Sequence, residues 1–181
     1  MYDIELFVRL KIPDVVAITS RTTLQRRMGY GEILRALTRE DFWKITVDVP
    51  SREDAERLAM ELAEKTTVFV NPNKHAYTFE VLDSGEHETG NAPSQRDGEW
   101  DVRVLVTVDD DAEASLTLDA LQSRLGYGAT IHNVERGILW TLTLRADSVE
   151  NARRIAEEIT LTRRVDAGLL VNPHFQGHTI L

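Results

Sequence analysis

An internal repeat constrains the fold of this chain more than any other feature of its sequence. A Gly-Tyr-Gly motif, a tryptophan and a Val-Asn-Pro motif each occur twice, in the same order. The first two recur after 97 residues and the third after 101, which indicates a short insertion around 162–168 of the second copy. The repeated marks are Gly29-Tyr30-Gly31 with Gly126-Tyr127-Gly128, Trp43 with Trp140, and Val70-Asn71-Pro72 with Val171-Asn172-Pro173. Two copies of one small module are therefore expected.

The segment between the copies, 83–99, has no aliphatic residue larger than Ala92. Such a segment cannot bury enough apolar area to offset the entropy that is lost when it becomes ordered. We therefore predict a first module at 1–82, a flexible linker at 83–99 and a second module at 100–181.

Each copy opens with alternating apolar and polar residues, which is the period of a strand with one buried face. This run covers Tyr2 to Leu10 in the first copy and Val102 to Val108 in the second. A helix is expected to follow. The Gly-Tyr-Gly motif is expected to end that helix, because glycine tolerates the left-handed conformation that is common at helix ends.

A hairpin is predicted next, with strands at 32–37 and 42–49 around a turn at 38–41, and with a turn at 135–137 in the second copy. A second helix is expected to open at Ser51 with Asp54 three residues on, and its counterpart at Asp147 with Glu150. The last strands are expected at 76–81 and 177–181.

The order β-α-β-β-α-β, which occurs twice, predicts the fold class α+β. Each module is expected to place two helices on one face of a four-stranded antiparallel sheet. Because a module of roughly 80 residues has only a thin core, we expect the two modules to pack together as an intramolecular pseudo-dimer.

Charge and composition argue against several classes of function. A formal net charge of −9 disfavours nucleic-acid binding, which depends on Lys and Arg that neutralise phosphates. No stretch approaches the roughly 18 apolar residues of a membrane span. The absence of cysteine excludes disulfides and thiol chemistry. The N-terminus lacks the basic and apolar segments of a secretory signal, so a cytoplasmic location is expected.

No residue pattern points to an enzyme or to a bound cofactor. The sequence contains no P-loop, no Gly-x-Ser-x-Gly and no His-Glu-x-x-His. His174 and His178 have the spacing of metal ligands on a strand, but the aligned residues of the first copy, Asn73 and Tyr77, are not histidines, so surface histidines are favoured. The run 109–111 is expected to be a solvated turn before a helix. We therefore expect no cofactor, no metal and no catalytic residue.

The repeated pattern resembles the PurS family, the small subunit of phosphoribosylformylglycinamidine synthase. The similar features are an opening strand with Lys11 near its end, a helix that closes on Leu-Gly-Tyr, a hairpin, an alanine-rich helix and Leu-Leu-Val-Asn-Pro before the last strand. They cover 2–82 and 100–181, and the most specific segment is 168–173.

This resemblance implies a non-catalytic protein that bridges the glutaminase and synthetase subunits of the synthase in purine biosynthesis. PurS works as a dimer or a higher assembly, so a tandem chain would carry that dimer within itself, while a homo-oligomer of the tandem chain stays open. Partner contacts are expected at the hairpin turns, where Arg39 and Arg136 begin segments that replace the family's Gly-Lys. The two Asn-Pro segments would either form structural turns or contact a partner. Their residues are Asn71, Pro72, Asn172 and Pro173.

Two other classes of function stay open at this stage. Paired β-α-β-β-α-β modules also form small-molecule-sensing regulatory domains, with a ligand site between the two repeats. An enzyme with a site between the modules would need groups with perturbed ionisation, for which Glu80, Arg9 and Arg103 are the weak candidates.

Overall fold

The computed structural model describes residues 1–85, 93–108, 111–161, 168–172 and 174–181. These residues form seven strands and four α-helices. The strands are β1 (Tyr2–Leu10), β2 (Leu34–Val47), β3 (His75–Asp83), β4 (Ser94–Arg96), β5 (Glu99–Val108), β6 (Ile131–Arg145) and β7 (Gln176–Ile180). The helices are α1 (Val15–Arg27), α2 (Arg52–Lys65), α3 (Ala112–Asp119), which continues as a π-helical turn (Ala120–Arg124), and α4 (Val149–Thr160). Within the described ranges, no helix has the length and the apolar character that a membrane span requires.

The strands belong to one antiparallel sheet in the order β3-β1-β2-β6-β5-β4, with β7 also paired to β5. Strand β1 pairs with β2 from Tyr2↔Val47 to Val8↔Asp41, and with β3 from Tyr2↔Asp83 to Leu10↔His75. Strand β5 pairs with β7 from Val104↔Ile180 to Val108↔Gln176. The α+β class and the antiparallel sheet are therefore confirmed, whereas the strand count differs from the predicted four per module.

The predicted hairpins at 38–41 and 135–137 are wrong, because β2 and β6 run straight through both segments. The favoured two-residue hairpin turns need residues with positive φ. No residue in either segment has one, and Gly137 is extended like its neighbours. Four predicted strands thus become two long ones.

Strand β4, which the sequence did not predict, comes from the segment expected to be a flexible linker. Ser94–Arg96 forms β4, which pairs with the start of β5. Asp97 and Gly98 connect the two strands with φ of 51° and 78°, as a two-residue hairpin turn requires. Residues 94–99 of the expected linker thus lie in a hairpin, and 86–92 lies outside the described residues.

Most predicted helix ends are found where the repeat places them. Gly29 and Gly126 have φ of 80° and 82° and follow the first helix of each copy. The Ser51 side chain accepts a hydrogen bond from the Asp54 N–H at the start of α2. The predicted start at Asp147 is one residue early, because Ser148 caps α4 by accepting from the Asn151 N–H. The hydroxyl lies where the Asn151 amide needs an acceptor.

The described residues divide into two compact units, which do not coincide with the contiguous segments 1–82 and 100–181. Unit 1 comprises Met1–Ile12, Glu40–Glu88 and Asp110–Gly137, and unit 2 comprises Pro13–Arg39, Thr89–Asp109 and Ile138–Leu181. One boundary between the units falls inside β2, between Arg39 and Glu40, and another falls inside β6, between Gly137 and Ile138. The chain leaves one unit for the other there because it does not turn back at the predicted hairpins.

In unit 1, a helix from the second repeat packs on strands of the first. The core of this unit joins residues of β1, β2, α2 and β3 to residues of α3, the π-helical turn and β6. Its fully buried members include Ile4, Ile45, Leu62, Leu121 and Ile131.

In unit 2, a helix from the first repeat packs on strands of the second. Ala17 and Leu24 of α1 lie in one core with residues of β5, β6 and α4. The buried members from those three elements include Val104, Leu142 and Ile159. Each unit thus combines strands that belong mainly to one repeat with the first helix of the other repeat.

Candidate functional site

The Asn71 turn precedes β3 and is held by four local hydrogen bonds. The Asn71 Oδ1 atom accepts from the Asn73 N–H at 3.0 Å, and the Asn71 carbonyl oxygen accepts from the N–H groups of Lys74 and His75. The Asn71 N–H donates to the His75 Nδ1 atom at 3.2 Å. Asparagine suits this position, because its side chain can bond a backbone amide two residues on.

The Asn172 turn precedes β7 and repeats the same four bonds. The Asn172 Oδ1 atom accepts from the His174 N–H at 3.1 Å, and the Asn172 carbonyl oxygen accepts from the N–H groups of Phe175 and Gln176. The Asn172 N–H donates to the Gln176 Oε1 atom at 2.9 Å, where the first copy uses a histidine nitrogen. The repeat therefore preserves a rigid turn and exchanges one acceptor.

Neither asparagine lies at a helix end, since α2 ends at Lys65 and α4 at Thr160. Pro72 is exposed, and its carbonyl oxygen accepts from the Lys11 Nζ atom at 2.7 Å. Pro173 lies outside the described residues.

The tips of the two turns differ in chemistry. Phe175, at the tip of the Asn172 turn, is 71% exposed. The residue in the same place of the Asn71 turn is Lys74, which is also exposed. The two turns thus present an aromatic ring and an ammonium group on equivalent frames.

Arg39 lies within a strand, where it holds the start of a helix. Its Nε atom is 2.9 Å from the Asp14 Oδ2 atom. The other Asp14 oxygen accepts from the N–H groups of Val16 and Ala17 as the N-cap of α1. This contact positions the start of α1.

Arg136 repeats the arrangement in unit 1. Its guanidinium lies 4.0 Å from the Asp111 Oδ2 atom, contacts Glu113, and stacks over the Trp43 ring at 5.7 Å from the ring centre. Asp111 caps α3 by accepting from the Glu113 and Ala114 N–H groups. The two arginines thus have the same structural task. They are not in turns, contrary to the prediction from the resemblance.

The tyrosines of the Gly-Tyr-Gly motifs face glutamates that sequence analysis did not single out. The Tyr127 hydroxyl donates to the Glu61 Oε1 atom at 2.6 Å, and burial together with this contact raises the Tyr127 pKa to about 12. Burial and the charge of Glu158 raise the pKa of Tyr30. Glu61 and Glu158 are also 97 residues apart, so the repeat alignment contained this signal.

A charged cleft of about 750 Å³ lies in unit 2, and we call it the unit 2 cleft. Its wall includes Ile33, Gly98 and Ala146 together with six charged side chains. The Arg35 Nε atom is 3.4 Å from the Glu99 Oε1 atom. The Ala146 carbonyl oxygen accepts from the Trp100 indole N–H at 3.2 Å, which anchors the wall of the cleft. The charged residues are Glu32, Arg35, Asp97, Glu99, Arg145 and Asp147.

The unit 2 cleft draws on both repeats. The segment that contains Glu32 and Arg35 belongs to the first repeat, Asp97 and Glu99 belong to the predicted linker, and Arg145 belongs to the second repeat. Sequence analysis missed this site, because the residues that form it are distant along the chain.

The other residues weighed in the sequence do not converge on one site. The His178 Nε2 atom is 2.9 Å from the Glu157 Oε2 atom, and no group of three or more metal-ligand side chains occurs in the part of the chain that the structure describes. Glu80 and Arg9 belong to unit 1, and Arg103 belongs to unit 2. Of the run 109–111, only Asp111 is described.

Comparisons with family models, with curated proteins and with solved structures found no match to this chain. The resemblance to PurS therefore stays a prediction.

Proposed function

We propose that this chain is a non-catalytic assembly subunit that resembles PurS and bridges the glutaminase and synthetase subunits of phosphoribosylformylglycinamidine synthase. The supporting observation is the pair of turns that share one hydrogen-bond pattern, with one acceptor exchanged, and have different tips, Lys74 and Phe175. A bridging subunit needs two chemically distinct contact surfaces, and two hydrogen-bonded turns with an ammonium tip and an aromatic tip would supply them.

Rigidity matters because association loses the entropy of every side chain and loop that becomes ordered at the interface. Four hydrogen bonds already hold the Asn172 turn, so little further ordering is needed when Phe175 is buried. Aromatic residues are enriched in the buried centres of protein interfaces. Lys74 suits an acidic surface on a different partner.

In this proposal the two repeats act as an intramolecular pseudo-dimer in the cytoplasm. A PurS-like dimer draws its two copies from two chains, whereas here one chain supplies both. A covalent connection gives an effective concentration in the millimolar range. Assembly would then be independent of protein concentration.

The test is a pull-down with the tagged full chain from its own cell extract, followed by size exclusion of the recovered complex. We expect the glutaminase and synthetase subunits to be recovered. Phe175→Ser should reduce recovery of one of them at least tenfold, and Lys74→Ser should reduce recovery of the other.

Leu116→Ser is the matched control, because Leu116 is as exposed as Phe175, at 71%, and lies outside both turns. Recovery of the tagged chain alone would contradict the proposal. So would an equal loss in the Leu116 variant.

A second candidate function, a small-molecule-sensing regulatory module, is favoured by the unit 2 cleft, which is lined by residues of both repeats. Its volume lies within the range of small-molecule sites. A ligand at a hundred times its dissociation constant would add about 2.7 kcal/mol to the free energy of unfolding. Thermal unfolding with amino acids, glutamine and purines tests this function, and no stabilisation by any of them would contradict it.

A further inference from the structure

We propose that the unit 2 cleft binds a free basic amino acid, with the ligand carboxylate on Arg145 and its two ammonium groups on the carboxylates of the cleft. This inference rests on the second candidate function and names its ligand class. It follows from the arrangement of charge in the cleft.

The charge of the cleft favours a cationic ligand. Four carboxylates and two guanidinium groups line it, and the Arg35–Glu99 ion pair neutralises one of each. Glu32, Asp97 and Asp147 then outnumber Arg145, so the remaining charge is negative. The cleft therefore favours a cationic ligand, and Arg145 adds a partner for a carboxylate on the same ligand.

Arg145 supplies the anion contact. Its backbone N–H donates to the Ile33 carbonyl oxygen at 2.9 Å, which fixes the residue at the end of β6. Its guanidinium is exposed and makes no ion pair with any residue that the structure describes. An arginine can bind a carboxylate with two parallel hydrogen bonds, and such charge-assisted contacts are among the stronger ones.

Two of the carboxylates belong to residues whose surroundings the structure defines. A hydrogen bond from Asn151, a backbone contact and the charge of Arg154 lower the pKa of Asp147. Asp97 lies in the hairpin turn between β4 and β5, where its φ is 51°. Ile33 and Ala146 add the apolar wall that the methylene chain of a lysine would contact.

The equivalent positions of unit 1 lack this set of charges. The fold itself therefore does not require them. At the 97-residue spacing of the repeat, Asp48 occupies the position equivalent to Arg145, and His132 occupies the position equivalent to Arg35. Ala129 and Pro50 correspond to Glu32 and Asp147. The repeat keeps the backbone pairing at this place, because the Asp48 N–H donates to Thr130 as the Arg145 N–H donates to Ile33. The charges are thus a property of unit 2 alone.

Isothermal titration of the full chain tests the proposal with three related probes. L-lysine has both groups, L-norleucine lacks the side-chain ammonium, and cadaverine lacks the carboxylate. We expect norleucine and cadaverine to bind at least about tenfold more weakly than lysine, since each loses a charge-assisted contact.

Variants assign the two ends of the ligand. Arg145→Gln should weaken lysine binding about tenfold without weakening cadaverine binding, whereas Asp97→Asn should weaken both. Asparagine tolerates the positive φ of Asp97, so the hairpin turn is kept. Arg153→Gln is the control, because Arg153 is exposed on α4 and lies outside the cleft.

Three outcomes would overturn the proposal: no heat from lysine up to about 10 mM, equal binding of lysine and cadaverine, or an Arg145 variant that binds lysine like the wild-type chain. Binding of glutamate or a purine that Arg145→Gln abolishes would also overturn it, and would keep the sensing function. No ligand of any class would remove both.

Discussion

Helix α1 and helix α3 with its π-helical continuation occupy equivalent places in the repeat, and they share their capping contacts but not their exposed faces. Each begins at an aspartate N-cap held by an arginine. Each sends a glutamine amide to the following strand, from Gln25 to Leu34 and from Gln122 to Ile131. Each is followed by a glycine with positive φ.

The exposed faces have diverged. Val15, Val16 and Ile18 of α1 are 72%, 47% and 44% exposed. The corresponding residues of α3 are Ala112, Glu113 and Ser115. The difference shows that the contacts which set the direction and packing of the helix have been kept in both copies, while the surface has changed. Four predictions test or sharpen this comparison.

The largest effect is expected from truncating the equivalent core leucines, Leu24 and Leu121, which are both fully buried. Each Leu→Ala change should lower the free energy of unfolding by about 2–5 kcal/mol, because a cavity is left in a packed core. Hydrogen exchange locates the damage. Leu121→Ala should speed exchange in β1 and β3 of the first repeat, since Leu121 lies in the unit 1 core.

Leu24→Ala should instead speed exchange in β5 and β7 of the second repeat. If each variant sped hydrogen exchange only in the strands of its own repeat, the assignment of each first helix to the core of the other repeat would be refuted. A uniform change across the chain would mean that the units do not unfold separately.

The next effect concerns Asp3, a buried aspartate with two side-chain partners, which is compared with its half-buried counterpart in the second copy, Asp101. Asp3 is 4% exposed, accepts from the Thr46 hydroxyl at 2.8 Å, and lies 3.2 Å from the Lys44 Nζ atom. Lys44→Met should cost about 3 kcal/mol, because it leaves a buried charge without its cation. Urea denaturation measures the change.

The double variant Asp3→Asn with Lys44→Met should recover much of that loss, because the unpaired charge is removed with its partner. In the second copy Thr143 bonds Asp101 at 2.6 Å, and Thr141 stands where Lys44 would be. Thr141→Val is the matched control and should change stability far less. Equal losses at both sites would contradict the role given to Lys44.

A smaller effect is expected at the two N-caps. Asp14→Ala and Asp111→Ala should each lower stability by about 0.5–2 kcal/mol, the usual cost of losing such a cap. Asp14→Ala should be the larger, because Arg39 pairs with Asp14 whereas Arg136 keeps its contact with Glu113. Thermal unfolding compares the pair, and a larger loss at Asp111 would reverse the order predicted from these contacts.

The smallest effect is a pH dependence from the tyrosines. The Tyr127 pKa is raised from 10.0 to about 12, so folding retains a proton that the unfolded chain loses. The stabilisation is therefore complete below pH 10 and is lost as the pH rises towards 12. Tyr127→Phe should cost about 1 kcal/mol at neutral pH, because its hydrogen bond to Glu61 is removed.

The same variant should also flatten the fall in stability across the alkaline window. Tyr30→Phe is the counterpart in the other copy. The pKa of Tyr30 is raised by burial and the charge of Glu158. An unchanged alkaline profile in Tyr127→Phe would mean that other groups cause the fall.

Local patterns predicted the elements whose signals lie within a few residues. The alternation from Tyr2 to Leu10 matches β1, Ser51 caps α2, and the glycines after both first helices have positive φ. These features depend on backbone conformation and on the burial of one face, and neighbouring residues report both. The Asp97-Gly98 turn was an available signal as well, although its segment was interpreted as a linker.

Tertiary structure alone decided which repeat each helix joins, where β2 and β6 end and how the unit 2 cleft is formed. The buried positions of α1 and α3 match, Ala17 with Ala114 and Leu24 with Leu121, so α1 suits the core of either copy. A polar stretch such as Thr38–Asp41 is compatible with a turn or with an exposed part of a strand, and only pairing with neighbouring strands selects one. The repeat and its local structure thus follow from the sequence, whereas the exchange of helices and the meeting of Arg35, Glu99 and Arg145 depend on long-range packing.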